Sequence, residues 1–282
     1  MIDREIAQPQ VISIMSYNLQ RLGDLAPKKE RKRSRQKKLE CLQKTIQETQ
    51  ARLAHPLELF AFQEVNNHNL NLIEETIGLT CQHVGYHSQN KRLGGLGICV
   101  KSEGSLKLNY VRNVTLKGKG RWRALFAEVS FAQQQHSTFN VLNVHFLPHG
   151  VDTENIKRAL LSPESTLGLV QGILDTSATQ RDQAEGLLTL IQDYRDPTIL
   201  MGDFNSPPHT GAHPLLREKW VDVWEASGTN FGATKYFGGL IPFRIDFIYA
   251  LKGAFETLES RVTPESCSDH RSVVATLQLK PR

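Results

Sequence analysis

Cysteine is scarce in this sequence, and Cys41, Cys81, Cys99 and Cys267 are widely spaced with no Cys-x-x-Cys among them. That spacing argues against a zinc cage and offers no disulfide framework. Reduced thiols in a cytoplasmic protein are the expectation. No apolar run approaches the roughly 20 residues that a membrane-spanning helix needs. The opening Met1-Ile-Asp-Arg-Glu-Ile6 carries two acids and no apolar stretch, so a signal peptide is not expected. Internal repeats, low-complexity tracts and Pro/Ser-rich linkers are missing too. So are a Gly-x-Ser-x-Gly elbow, which would suggest a serine hydrolase, and a Gly-x-x-x-x-Gly-Lys-Ser/Thr phosphate loop.

What is there is an ordinary globular composition, 39% hydrophobic and 22% charged over 282 residues. That length suffices for one large α/β domain or two small ones. The net charge of +5 is unevenly spread, with eight basic residues and one acid between Lys28 and Lys38. Such a run attracts polyanions through counterion release, although many charge runs are only solvated faces.

Short apolar and β-branched runs read as strands at Val11–Tyr17, Leu57–Phe62, Gly97–Val100, Trp122–Phe131, Thr138–Val144, Thr198–Met201, Arg244–Ala250 and Ser272–Leu279. Helical spacing appears in Gln36–Leu53, through Leu39, Leu42, Ile46 and Leu53, and in Gln180–Tyr194, through Ala184, Leu187, Leu188 and Ile191. Strands interleaved with helices predict a mixed α/β fold. Residues 147–179 carry the weakest pattern and read as a long insertion, either a substrate-side lid or a surface helix.

Polar residues fall where the apolar strands end. Asn18 follows Met15-Ser-Tyr17, Gln63 and Glu64 follow Leu59-Phe-Ala-Phe62, and His145 follows Val141-Leu-Asn-Val144. Asp203 and Asn205 follow Thr198-Ile-Leu-Met201, Asp246 sits among apolar neighbours, and Ser268-Asp-His270 precedes the last strand. Taken singly, Glu64 reads as a helix-start acid, Asp203 as a turn aspartate and His145 as a core histidine. Together they are harder to dismiss, because buried carboxylates need partners and ligand sites of α/β sheets lie at the carboxyl ends of strands. Oxygen donors at Glu64, Asn18 and Asp269 suit Mg²⁺ or Mn²⁺. The histidines, with Asp203 and Asn205, can supply proton transfer and transition-state hydrogen bonds.

The strings Ser16-Tyr-Asn-Leu19, Phe62-Gln-Glu-Val65, Asn143-Val-His-Phe146, Gly202-Asp-Phe-Asn205, Arg244-Ile-Asp-Phe-Ile248 and Ser268-Asp-His270, in that order, resemble the endonuclease/exonuclease/phosphatase superfamily with its DNase I-like fold. Arg181 with Gln183 is similar to the family's Arg-x-x-Gln-type helix, and Thr234 matches a loosely kept position. The resemblance spans about residues 12–278. It implies an α/β four-layer sandwich, two mixed β-sheets packed face to face and flanked by helices, with residues 1–282 as one domain. It further implies Glu64 as principal metal ligand with Asn18 and Asp269 beside it. Asp203 would orient or deprotonate the attacking water, assisted by Asn205. His270, held by Asp246, would stabilise the phosphoryl group, and His145 would donate to a non-bridging oxygen. Asn143 is expected to serve strand pairing or site geometry.

One departure stands out. Some nuclease members pair the histidine equivalent to His145 with an earlier carboxylate, but Ser88–Ser102 holds none and offers Lys91 and Arg92 instead. The single dyad Asp246–His270, with His145 a neutral or unpaired donor, is the arrangement this favours. The implied reaction is Mg²⁺- or Mn²⁺-dependent hydrolysis of a phosphoester by a monomer that does not insert into membranes. Three features lean towards DNA or RNA: an isoelectric point near 9.0, the Lys28–Lys38 run, and further basic residues at Lys91, Arg92, Lys117, Lys119, Arg121 and Arg123. Trp122, Tyr236 and Phe237 are candidate stacking aromatics. Inositol phosphates or phospholipids are the alternative, with no amphipathic anchor expected, and a non-catalytic binding protein on the same fold is a third reading.

Overall fold

The computed structural model describes residues 9–24, 27, 29–85, 94–117, 123–148, 161–192, 196–237 and 241–281. Its framework is two six-stranded mixed sheets. The first contains β1 (Val11–Asn18), β2 (Leu57–Val65), β3 (Leu79–Gly85) and β4 (Gly95–Lys101). The second contains β5 (Leu106–Thr115), β6 (Arg123–Phe131), β7 (Gln134–His145), β8 (Thr198–Asp203) and β9 (Trp220–Asp222). A two-stranded ribbon, β10 (Lys235–Phe237) and β11 (Ile241–Phe243), precedes β12 (Asp246–Leu251), which returns to the second sheet. β13 (Phe255–Val262) and β14 (Val273–Leu279) complete the first. The orders are β13-β14-β1-β2-β4-β3 and β5-β6-β7-β8-β12-β9.

Each sheet has one parallel pair at its centre, β1 with β2 and β7 with β8. Between the members of these pairs run α1 (Arg31–Gln50) and α3 (Pro163–Ile191), the helical crossovers that parallel neighbours require. α2 (Asn67–Ile77) follows β2, and two short helices, α4 (His213–Leu216) and α5 (Val223–Ser227), flank β9. The central strands are buried on both faces, which explains their unbroken apolar runs. Ile12, Ile14, Leu59, Ala61, Ile199 and Met201 fill the space between the sheets. Tyr17, Phe60 and Phe62 face Leu39, Leu42 and Ile46 of α1. Leu142, Leu200 and Phe247 face Ala184 and Leu187 of α3. The layers are therefore helix, sheet, sheet and helix, as the resemblance implied.

Two expectations need correction, the separate Gln180–Tyr194 helix and the reduced thiols, while the surface-helix reading of the insertion holds for residues 163–179. Residues 163–191 form one continuous helix, started by Ser162, whose side chain accepts from the Ser165 N–H; the weak-pattern insertion and the separately read Gln180–Tyr194 helix are largely one element. Residues 149–160 of that insertion lie outside the described residues. The cysteines are paired, Cys41 with Cys267 and Cys81 with Cys99. Reduced thiols were inferred from sequence spacing, yet residues distant in sequence meet where β4 lies against β3 and where α1 lies beside the segment before β14. No described helix is long and apolar enough to cross a membrane.

Candidate active site

The strand ends meet in two rows. In the first sheet Asn18 is level with Gln63. In the second, His145, Asp203 and Asp246 stand side by side on β7, β8 and β12. Gly202 makes that second row possible, because at its φ of +147° a Cβ would lie 2.0 Å from the Val144 carbonyl oxygen.

Asp203 is the hub. Its Oδ2 accepts from Asn18 Nδ2 at 2.9 Å and lies 3.6 Å from His145 Nε2 and 3.8 Å from His270 Nε2. Its Oδ1 accepts the backbone N–H of Asn205 at 2.8 Å. Asn205 thus holds Asp203 through its main chain, while its Nδ2 donates to the Phe146 carbonyl. On the far side of His270, Nδ1 lies 2.9 Å from Asp246 Oδ2, the expected dyad. Thr234 positions Asp246 by accepting the Ile245 and Asp246 N–H groups on its hydroxyl. His145 is not an unpaired donor, since it stands beside Asp203.

Burial alone would lower the pKa of His270, but the carboxylates of Asp246 and Asp203 outweigh it and push it up to about 9. Burial also works to raise Asp269, yet His270 and Lys235 hold it below the usual carboxylate range. Lys38 is lowered by burial against the opposing pull of Asp269 and Glu64.

Glu64 occupies a bulge. Pairing between β2 and β4 slips between Gln63 and Val65, and Glu64 itself takes a φ of +56°. Asn205 is held at +51° and Arg21 at +56°. Left-handed backbone at non-glycine residues costs roughly 1–3 kcal/mol each and clusters at functional sites. Here the bulge aims the Glu64 carboxylate at the Asn18 amide, 3.3 Å away. Asn18 turns its Nδ2 to Glu64 and Asp203, and its Oδ1 takes the Gln20 N–H.

Beneath the site Asn143 joins the sheets. Its Nδ2 donates to the Phe62 and Gly97 carbonyls at 2.9 and 2.8 Å, and its Oδ1 accepts from Gln63 at 2.8 Å. Asn143→Leu should therefore destabilise the fold by about 2–5 kcal/mol, because it strands several buried groups at once. Denaturant unfolding measures this, and a loss below about 1 kcal/mol would show the network to be dispensable.

Other residues that sequence reasoning had singled out fall elsewhere. Arg181 is exposed and pairs with Glu185, whereas buried Gln180 and Gln183 hold the Leu147 backbone. Lys28, Lys91, Arg92, Lys119, Arg121, Trp122 and the Phe237 side chain lie outside the described residues. Sequence reasoning missed Lys235, whose Nζ is 2.9 Å from His270 Nε2 and 3.0 Å from Asp269 Oδ2. Arg244, which opens one of the matching strings but was given no role, is buried against Asp222 and Glu225 and stacked on Trp224 and Phe247. Only Lys235's place beside Thr234 could have signalled it.

An oxygen-rich set of this kind fits a hard divalent cation. Asp246 Oδ1 is buried with no hydrogen-bond partner, and Asp203, Asp246 and His270 offer ligand atoms within 4.8 Å of one another. Glu64 and Asp269 contribute the more exposed carboxylates of the site.

The model of the Endonuclease/Exonuclease/phosphatase family matches residues 15–270. No curated protein matches the sequence. Among solved structures, an endonuclease/exonuclease/phosphatase from Bacteroides vulgatus is 14% identical with a TM-score of 0.72, covering 96% of this chain and 100% of that one. The human Nocturnin catalytic domain, with bound sulfate, is 15% identical with a TM-score of 0.65 and 97% coverage of both chains. A mannosyl-6-phosphatase from Bacteroides thetaiotaomicron is 18% identical with a TM-score of 0.66, covering 94% and 99%. At such identities the likeness is one of fold.

Proposed function

Because the chain belongs to the endonuclease/exonuclease/phosphatase family, we propose that it hydrolyses phosphodiester bonds with Mg²⁺ or Mn²⁺, and that its substrate is DNA or RNA. The observation that carries the reading is the Asp203 carboxylate set between two imidazoles and beside a carboxylate–imidazole dyad. Asp203 orients the attacking water and takes its proton, fixed by Asn18 and the Asn205 N–H. His270 presents Nε2 to the phosphoryl oxygens, its ring held by Asp246. His145 donates from the other side of Asp203. Glu64, with Asp269, would hold the cation, and Asn18 orients Glu64. Held there, the cation would supply positive charge to the phosphoryl group.

The nucleic-acid preference has two supports. Arg31, Lys32 and Arg33 are exposed at the start of α1, and Lys38 of the same helix feels the charges of Glu64 and Asp269. Close in sequence to Asn205, Thr234 and Asp246 is a cavity of about 410 Å³ lined by Trp224, Phe231, Phe243 and Arg244, a surface on which a base can stack. A second reading, an inositol phosphate or phospholipid, draws on exposed Leu167, Val170 and Leu174, an apolar stripe at helical spacing on α3 that sequence reading had not found.

Purified protein should cleave a generic phosphodiester with Mg²⁺ or Mn²⁺ and stop in EDTA; turnover that persists in EDTA refutes the mechanism. A panel of plasmid DNA, single-stranded RNA and vesicles carrying phosphoinositides or sphingomyelin then separates the readings. Exclusive turnover of vesicle substrates would overturn the nucleic-acid preference.

A further inference from the structure

The backbone places Lys235 opposite His270 independently of its side chain. The two residues form an antiparallel bridge, and the Arg271 N–H donates to the Thr234 carbonyl at 2.7 Å. From that anchor the Lys235 side chain reaches inward, putting Nζ 2.9 Å from His270 Nε2 and 3.0 Å from Asp269 Oδ2. His270 Nδ1 is committed to Asp246, so Nε2 is the edge of the ring left for a ligand. The Lys235 and Asp269 side chains keep 22% and 42% of their surface exposed, while His270 keeps 2%, so the lysine stands on the solvent side of the histidine.

We infer that Lys235 is a phosphoryl-binding residue, which shares with His270 Nε2 the non-bridging oxygens of the substrate and holds Asp269 only until that anion arrives. The inference rests on the phosphoester reading in taking the ligand to be a phosphoryl oxyanion. Two nitrogens at hydrogen-bond distance from one another, one an ammonium and the other an imidazole edge, converge on one place, and an oxyanion there takes a hydrogen bond from each. A lysine suits this task as a compact point charge with rotatable donors, able to leave Asp269 and follow the anion. Lys38, which feels the charges of Asp269 and Glu64, adds a further basic side chain to the site. Sequence scanning overlooks such a lysine because it stands in a short ribbon rather than at the end of a core strand.

The test uses the full chain, inorganic phosphate as probe in metal-free buffer, and the variants Lys235→Met, Lys235→Arg and Asp269→Asn. Calorimetry should show phosphate binding to the wild type, weakened about tenfold or more in Lys235→Met and restored to within a few-fold in Lys235→Arg. Asp269→Asn releases the lysine from its competing partner and should tighten phosphate binding, and that gain should vanish in the Lys235→Met/Asp269→Asn double variant, which loss of carboxylate repulsion alone would not do. With Mg²⁺ and a generic phosphodiester, Lys235→Met should lower kcat by about 10²-fold and raise KM only a few-fold. Because the backbone bridge fixes position 235, circular dichroism and Tm should stay close to wild type; if Lys235→Met does not fold, the Asp269→Asn comparison decides the matter. Phosphate affinity unchanged in Lys235→Met or Asp269→Asn, or no binding to wild type at millimolar phosphate, overturns the inference. Lys235-dependent phosphate binding by a protein that hydrolyses no phosphoester would uphold it and refute the enzymatic reading.

Discussion

Asp203→Asn should lower turnover by about 10³-fold or more while leaving the folded state intact. The substitution keeps size and shape, and the single amide oxygen can keep one of the two hydrogen bonds that Asp203 accepts on separate oxygens, from the Asn18 amide or from the Asn205 N–H. What it removes is the negative charge between two imidazoles and the capacity to take a proton from water. His270→Ala should cost a comparable factor through loss of the donor to the phosphoryl group. The double variant should be little worse than either single one, because residues acting as a unit are not additive. Turnover within tenfold of wild type in either variant, with circular dichroism and Tm unchanged, would show the site assignment to be wrong.

The same dyad gives a signed pH dependence. His270 titrates at about 9 in the fold against 6.5 for the ordinary side chain. A raised value means that its stabilising contribution is fully present below pH 6.5 and is lost as pH rises through about 9. Asp246→Asn removes the main source of the upward shift, so the alkaline limb of both activity and stability should move towards neutral pH.

How much was legible in the sequence depended on where each residue sits. Central strands announced themselves because both faces are buried, as in Ile199-Leu-Met201, and the polar residues terminating them stood out by contrast. β3, β5 and β13 went unread. They lie at or beside sheet edges, half in solvent, and charged residues such as Lys107, Arg112, Glu256 and Glu259 interrupt their apolar alternation. Helix α1 begins at Arg31 rather than Gln36, because exposed basic turns leave no apolar spacing to detect. In the site, Asp203, His270 and Asp246 were legible by type and position. The Glu64 bulge was not, since it arises from pairing with β4, where Gly94 lets the Glu64 backbone approach to a distance that would crowd a Cβ. The disulfides escaped for the same reason: they depend on tertiary approach, not on spacing.

Reduction of Cys41–Cys267 should be the most damaging change to stability, and it should reach the active site before it unfolds the chain. The bond closes a separation of 226 residues, for which chain entropy gives a stabilisation of about 5 kcal/mol at most. In a chain of this size that corresponds to a fall in Tm of roughly 10 °C or more. Its position adds a functional consequence. Cys267 donates its N–H to the Tyr17 hydroxyl at 2.6 Å, and Ser268 donates to the Asn18 carbonyl at 2.6 Å while accepting the His270 N–H. The disulfide is thus the covalent end of a short segment that delivers Asp269 and His270 to the strand carrying Asn18. A Cys41→Ser/Cys267→Ser variant should therefore lose activity at temperatures where its circular dichroism is still native. Cys81→Ser/Cys99→Ser offers the contrast. Its bond spans only 18 residues of separation between strands already paired in register, away from the catalytic row, so it should lose less stability and keep its turnover. Equal loss of activity in the two variants would show that the first disulfide acts through global stability alone. Quantitative alkylation of all four cysteines in the native, unreduced protein would remove the premise altogether.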